Sequence, residues 1–140
     1  MNPRTGDSWL EATNEAVGFG GHAAGDGEDG IMHLSEPGCR VNPVEVLETT
    51  SPMVIESYGY VQDSGGAGLH RGGVGVSRVY RFTSESTGIC LVYKTKSRPW
   101  SVQGGAEGES AKIVLNLGTV GRSCRLEATT GWRRATCSRT

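Results

Sequence analysis

Large core-forming side chains are scarce in this sequence. Val, Leu, Ile and Phe number 27 of 140 residues, and only 2 of them are Phe. That fraction borders on the range of disordered chains. Disorder also calls for a high net charge, and the formal charge here is -1. A folded chain with a thin core, open to completion by a partner, is the expectation. No run of 18 apolar residues occurs, so no membrane-spanning helix and no membrane role are expected. Residues 1–20 carry neither a basic start nor an apolar stretch, and no secretory signal is read there. Close cysteine pairs are missing too. Cys39, Cys90, Cys124 and Cys137 lie far apart, which fits neither a zinc site nor, without a signal, a disulfide framework. Reduced, mostly packed thiols in a cytoplasmic protein follow. Glycine is abundant (22 residues) but keeps no period of three, which excludes collagen.

Charge is divided unevenly. Residues 1–70 hold 11 acids and 2 bases, and residues 71–140 hold 12 bases and 4 acids. A basic half can serve an anionic partner, but no dense Lys/Arg run with interleaved aromatics occurs, so no nucleic acid is expected. Two oppositely charged halves packing on each other is the favoured reading.

The pattern of elements is mostly β, with little helix beyond a weak hint at Trp9–Val17. Five strand candidates follow one another between Gly, Pro and Ser turns. Residues 41–48 (VNPVEVLE) place Val44 and Val46 on one face and Glu45 opposite, with Asn42-Pro43 at the start. Residues 53–61 are rich in β-branched and aromatic residues. Residues 74–82 (VGVSRVYRF) put Val74, Val76, Tyr80 and Phe82 on one face together with Arg78, with Ser77 and Arg81 pointing away. Residues 88–95 read as buried on both faces, and residues 112–117 align Ile113, Leu115 and Leu117. An antiparallel, sandwich-like sheet with glycine-rich loops is predicted.

Two glycine-rich stretches stand out. Residues 18–30 (GFGGHAAGDGEDG) must be loop. Residues 62–75 (QDSGGAGLHRGGVG) hold Gly65, Gly66, Gly68, Gly72, Gly73 and Gly75. Dense glycine permits positive φ and close backbone approach, so Val at Gly65, Gly66, Gly72 or Gly73 is expected to strain the fold through φ. A phosphate cradle is disfavoured, because no Gly-Lys-Ser/Thr follows and a strand rather than a helix comes next. A tight connection between two strands, pinned by Asp63 and Arg71, is preferred.

Other constellations are weaker. Asp26, Glu28 and Asp29 fail the EF-hand spacing and read as a solvated turn. His22, His33 and His70 have no diagnostic metal spacing, so no metal site is expected. Ser64 lacks the first glycine of a nucleophile elbow. Arg98-Pro99-Trp100 sets a cation beside an aromatic at a turn, suited to a partner interface or, for Trp100, to capping the core.

In order, GFGGHAAGDGEDG, NPVEVLE, DSGGAGLHRGGVGVSRVYRF and RPWSVQGG resemble the C-terminal part of the hydantoinase B/5-oxoprolinase B family, which is related to acetone and acetophenone carboxylase large subunits. The resemblance spans roughly residues 16–119. Asp63, Ser64, Gly65, Gly66, Gly68, Arg71, Gly72, Gly73 and Gly75 fall on its motif. It divides the chain into a polar segment (1–17), a β-rich body (18–119) and an atypical tail (120–140).

The resemblance implies a subunit or fragment of an ATP-dependent complex that opens hydantoin or 5-oxoproline rings. A hydantoinase A-like subunit would bind the ATP, and a divalent metal would sit elsewhere in the complex. This chain would then bind no cofactor, supply no catalytic residue, and act in structure and assembly, with Arg98 and Trp100 at an interface. A small subunit of a ketone carboxylase, and a non-enzymatic module binding an anion or a partner, are the alternatives. Relatives tend to end in a glycine run, where this chain has GRSCRLEATTGWRRATCSRT. A shift of reading frame after about residue 120 is the expectation for that tail, since Trp-Arg-Arg codons read one base later can encode Gly-Gly-Gly.

Overall fold

The computed structural model describes residues 6, 8–32, 38–84, 86–116, 123–127 and 133–137. One short helix, α1 (Val44–Thr50), precedes six strands: β1 (Met53–Tyr60), β2 (Val76–Phe82), β3 (Ser86–Cys90), β4 (Val114–Asn116), β5 (Ser123–Glu127) and β6 (Arg133–Cys137). Four strands form an antiparallel sheet in the order β1-β2-β5-β4, and β3 pairs with β6 in a separate two-stranded sheet. The mostly-β, antiparallel expectation holds. Among the described residues the two sheets are separate, and a sandwich is not seen.

The expected strand at 41–48 is a helix. Pro43 sits at the N-cap with φ -54° and ψ 139°, and its carbonyl accepts from Val46 N (3.1 Å) and Leu47 N (3.2 Å). Pro lacks an N–H, and the start of a helix leaves its N–H groups without intrahelical partners anyway. Glu45 in the first turn complements the positive end of the helix. Burial falls on Val44, Leu47, Glu48 and Ser51, the i, i+3, i+4, i+7 spacing of a helix face. Val46 lies off that face and is half-exposed, although alternation put it beside Val44. Two bonds then fasten α1: Ile55 N donates to Glu48 Oε1 (2.9 Å), and Ser51 Oγ donates to Glu11 Oε2 (3.3 Å).

The weak helical hint at 9–17 is not realised. Val17 instead forms a β-bridge with Ile31, and Thr13 and Glu15 turn their side chains to Tyr80. β1 and β2 form the centre. Their register runs from Met53 opposite Phe82 to Tyr60 opposite Val76, with a bulge that frees Glu56 to accept from Arg81 Nε (2.8 Å). The buried apolar residues among those described are Ala16, Leu47, Met53, Val76, Val79 and Tyr80, as thin a core as the composition implies. On β2, Val76, Arg78 and Tyr80 share the buried face, and Val79 is buried from the other side.

Residues 88–95 are not buried on both faces. β3 ends at Cys90, Ile89 is 68% exposed, and Leu91 and Tyr93 are exposed beyond it. The cause is topological: β3 pairs with β6 outside the four-stranded sheet. Within the tail, 123–127 and 133–137 pair in register with β2, β4 and β3. Residues 117–122, 128–132 and 138–140 of that region lie outside the described residues.

Substitutions in α1 separate helix from strand. Leu47→Ala should destabilise the chain by about 2–4 kcal/mol, because a fully buried Leu leaves a cavity. Val46→Ala should change stability by less than about 0.5 kcal/mol. Urea unfolding of the two variants measures both, and the strand reading predicts no such contrast.

Candidate functional site

Three glycine-bearing segments pack backbone against backbone. The first is 18–30, the second 64–75 and the third 99–109. Gly27 N donates to Arg71 O (2.7 Å), Gly73 N to Phe19 O (2.7 Å) and Gly30 N to Val74 O (3.0 Å), which joins the first segment to the second. Ala106 N donates to Ala67 O (2.7 Å) and Glu109 N to Ser64 O (2.9 Å), which joins the third. A Cβ on Gly18 or Gly27 would lie closer than 3.0 Å to the backbone of residue 73. A Cβ on Gly65 would meet Gly72, one on Gly66 would meet Ala106, and one on Gly73 would meet Glu28, each again closer than 3.0 Å. Gly68 and Gly72 are tight at 3.2 and 3.1 Å, and Gly75 is at ordinary contact distance.

The expectation of positive φ at Gly65, Gly66, Gly72 and Gly73 is therefore corrected. None of the four is left-handed, and close approach of neighbouring backbone is what excludes a side chain. The residue of this motif with positive φ is Asp63 (57°), in the turn that leaves β1.

The charges that pin these segments are not the expected pair. Asp63 is exposed, and the acids that reach Arg71 come from the first segment. Asp29 takes both guanidinium nitrogens of Arg71, Nη1 to Oδ1 at 2.8 Å and Nη2 to Oδ2 at 3.0 Å. Its Oδ1 also accepts from Val74 N (2.8 Å). Asp26 Oδ1 accepts from Arg71 N (2.9 Å), and His70 Nδ1 lies 3.7 Å from the same oxygen. The acidic stretch is thus a clamp rather than a solvated turn. Hydrogen bonds from Arg71 and Val74 lower the Asp29 pKa to about 2. The signal for this in the sequence is charge complementarity between an acid-rich and an Arg-bearing glycine loop.

Ser64 is committed as well. Its hydroxyl donates to Val61 O (2.8 Å) and accepts from Gly75 N (2.9 Å), closing the loop where it leaves β1 and enters β2. A hydroxyl so engaged has no proton left for a base. Among the described residues no group of three His, Cys, Asp or Glu could hold a metal ion. His22 Nδ1 accepts from Ala24 N (3.2 Å), and His33 lies outside the described residues. Arg98 pairs with Glu109 (3.2 Å), while Trp100 is 71% exposed and caps nothing. Cys39 is exposed and Cys90 half-buried, both as free thiols, so close packing does not describe Cys39.

A second cluster lies under β2. Arg78, 3% exposed, stacks its guanidinium 4.0 Å over the ring of Tyr58, its cross-strand neighbour. Its Nη1 donates to Tyr80 Oη (3.1 Å), and its Nε lies 3.4 Å from Glu15 Oε2. Tyr80 Oη in turn donates to Glu15 Oε1, and Thr13 Oγ1 lies 3.1 Å from the same Oη. Burial, then the Glu15 carboxylate, push the Tyr80 pKa upward, which keeps the phenol a donor. The alternation of β2 places Arg78 between Val76 and Tyr80 on the apolar face, but nothing in the sequence marks Glu15 as its partner. Ion pairs thus join the acidic first half to the basic second half at Asp26–Arg71, Asp29–Arg71, Glu15–Arg78 and Glu56–Arg81.

Glycine tolerance should follow contact distance. Gly65→Ala, Gly66→Ala and Gly73→Ala should each cost more than about 3 kcal/mol. Gly59→Ala, with nothing within 4 Å of its Cβ, should be neutral or stabilising by about 0.4–1 kcal/mol. Thermal unfolding ranks the series. The clamp carries a pH signature. Asp29 has a depressed pKa, so its contribution is complete above the unfolded carboxylate pKa of about 3.9 and is lost as pH falls toward about 2. Acid titration followed by the Asp29 carboxyl and Val74 amide signals should show one step in that window, and Asp29→Asn should remove it.

The profile of the hydantoinase B/oxoprolinase family matches residues 1–137, a span wider than 16–119. An uncharacterized protein of Methanocaldococcus jannaschii is 41% identical over 66 residues, 47% of this chain and 12% of that protein. An uncharacterized protein of Schizosaccharomyces pombe is 34% identical over 97 residues, 68% of this chain and 7% of that one. A 5-oxoprolinase of Dictyostelium discoideum is 30% identical over 111 residues, 74% of this chain and 8% of the enzyme. The chain spans about a tenth of the length of these relatives. No helix among the described residues is long and apolar enough to cross a membrane. With the profile running through all three glycine-bearing segments, the Asp29–Arg71 clamp and the buried Arg78 cluster, the chain belongs to the hydantoinase B/oxoprolinase family.

Proposed function

We propose that this chain is a scaffold segment of an ATP-dependent complex that opens cyclic amides of the hydantoin or 5-oxoproline type, and that it has no turnover by itself. One observation carries the reading: Ser64 and Arg71 of the motif, with Asp29 of the facing segment, are engaged within the chain. Ser64, Asp29 and Arg71 each bond to neighbouring protein groups, so what the motif builds is a rigid layer of backbone. In this reading a hydantoinase A-like subunit handles ATP, and a divalent metal is held elsewhere in a cytoplasmic assembly. Arg98 and Trp100 then sit on the surface that meets other parts of the complex. Likeness to a 5-oxoprolinase favours ring opening over ketone carboxylation. A purely electrostatic anion module loses support, because Arg71, Arg78, Arg81 and Arg98 already have acidic partners within the fold.

The purified chain, supplied with ATP, Mg2+ and either hydantoin or 5-oxoproline, should release neither ADP nor ring-opened product above the protein-free rate. Coupled ADP detection and chromatography of the amino-acid product measure this. Sustained turnover by the 140-residue chain overturns the proposal.

A further inference from the structure

Both aspartates that reach Arg71 are followed by glycine, as Asp26-Gly27 and Asp29-Gly30. Such a bond is chemically labile, because glycine offers its amide nitrogen with little hindrance. That nitrogen attacks the aspartate Cγ, a C–N bond forms, and a carboxyl oxygen leaves as water. The succinimide ring then takes up water at one of its two carbonyls. Opening at Cγ restores aspartate, whereas opening at the former main-chain carbonyl leaves isoaspartate, with the main chain running through Cβ and one carbon longer. Water is the sole reagent. The attack needs a free glycine N–H and a carboxyl group able to swing onto it, and the closed fold withholds both. Gly30 N donates to Val74 O (3.0 Å) and Gly27 N to Arg71 O (2.7 Å). The Asp29 carboxyl is fixed by the Arg71 fork and by Val74 N. Its lowered pKa keeps it a carboxylate, which is a poor electrophile. The two locks differ in kind. Asp29 depends on the Arg71 side chain, while Asp26 accepts from the Arg71 main-chain N–H (2.9 Å). The Arg71 and Asp29 side chains are 48% and 35% exposed, and an ion pair so placed opens at low cost.

We propose that Asp29-Gly30 is a site of isoaspartate formation that the Arg71 fork holds shut, so that a chain whose clamp stays open is modified there. The product cannot close the clamp again. Residue 28 already meets Gly73 more closely than a β-carbon allows, so an added main-chain carbon at residue 29 finds no room. The assignment goes beyond the scaffold role and does not depend on it.

The test ages the full chain and a peptide of residues 18–32 side by side at neutral pH. Electron-transfer fragmentation, which distinguishes isoaspartate from aspartate, gives the rate at each bond. The peptide should convert at both. The folded chain should convert at least about tenfold more slowly at each, the factor that an opening free energy of about 1.4 kcal/mol gives. Arg71→Ala should raise the Asp29 rate about tenfold, as loss of a charge-assisted contact implies. It should leave the Asp26 rate unchanged, because the main-chain groups of residue 71 that hold Asp26 and Gly27 survive the substitution. Arg71→Lys should fall between parent and Arg71→Ala. Because Arg71→Ala can misfold, circular dichroism accompanies it, and the parent in sub-denaturing urea then decides: its Asp29 rate should rise in step with hydrogen exchange of the Gly30 amide. Conversion of the folded parent at the peptide's rate, a folded Arg71→Ala chain as slow at Asp29 as the parent, or an Asp29 rate that ignores Gly30 exchange would each overturn the assignment.

Discussion

The fold depends on one constraint: main chain must approach main chain more closely than any β-carbon allows. Gly18 and Gly27 against residue 73, Gly65 against Gly72, Gly73 against Glu28 and Gly66 against Ala106 are all contacts of this kind. Dispersion and hydrogen bonding between peptide groups replace the side-chain packing that the composition cannot supply. With six apolar residues buried among those described, the layer of loops holds together what a larger core would otherwise hold. Asp29 fixes its register, because one carboxylate gathers the Arg71 fork and the Val74 amide into a single geometry.

Much of this was legible in the chain, and the failures have physical causes. β1 and β2 announce themselves by β-branched and aromatic residues, and residues 76–82 keep the alternation that buries Val76, Arg78 and Tyr80 together. Residues 41–48 misled because a seven-residue helix offers only two turns of pattern. Val44 and Val46 alternate by accident, and the decisive feature is the burial of Leu47, one residue off that alternation. The 88–95 stretch misled in another way. Its apolar residues imply burial, but burial depends on which strands a sheet contains, and β3 lies outside the larger one.

Within the site, local reading found the right loop and the wrong partner for its arginine. Asp63 is near Arg71 in sequence, whereas Asp26 and Asp29 are near it in space, and no spacing rule connects segments 45 residues apart. The same holds for Glu15 and Tyr80, which are 65 residues apart. Charge asymmetry between the halves was the usable hint, and the structure spends it on pairs across the fold. A motif whose Ser64 and Arg71 are engaged within the chain suits a framework on which reactive groups of other segments can be placed.

Amide hydrogen exchange tests the central claim most directly. If the loops are held by mutual backbone contact, the Gly27, Gly30, Gly72, Gly73 and Val74 amides should be protected to the same degree as Val79 and Tyr80 in β2, and all should exchange through one common opening. Exchange of those glycine amides at the rate of an unstructured peptide, while β2 stays protected, would contradict the account.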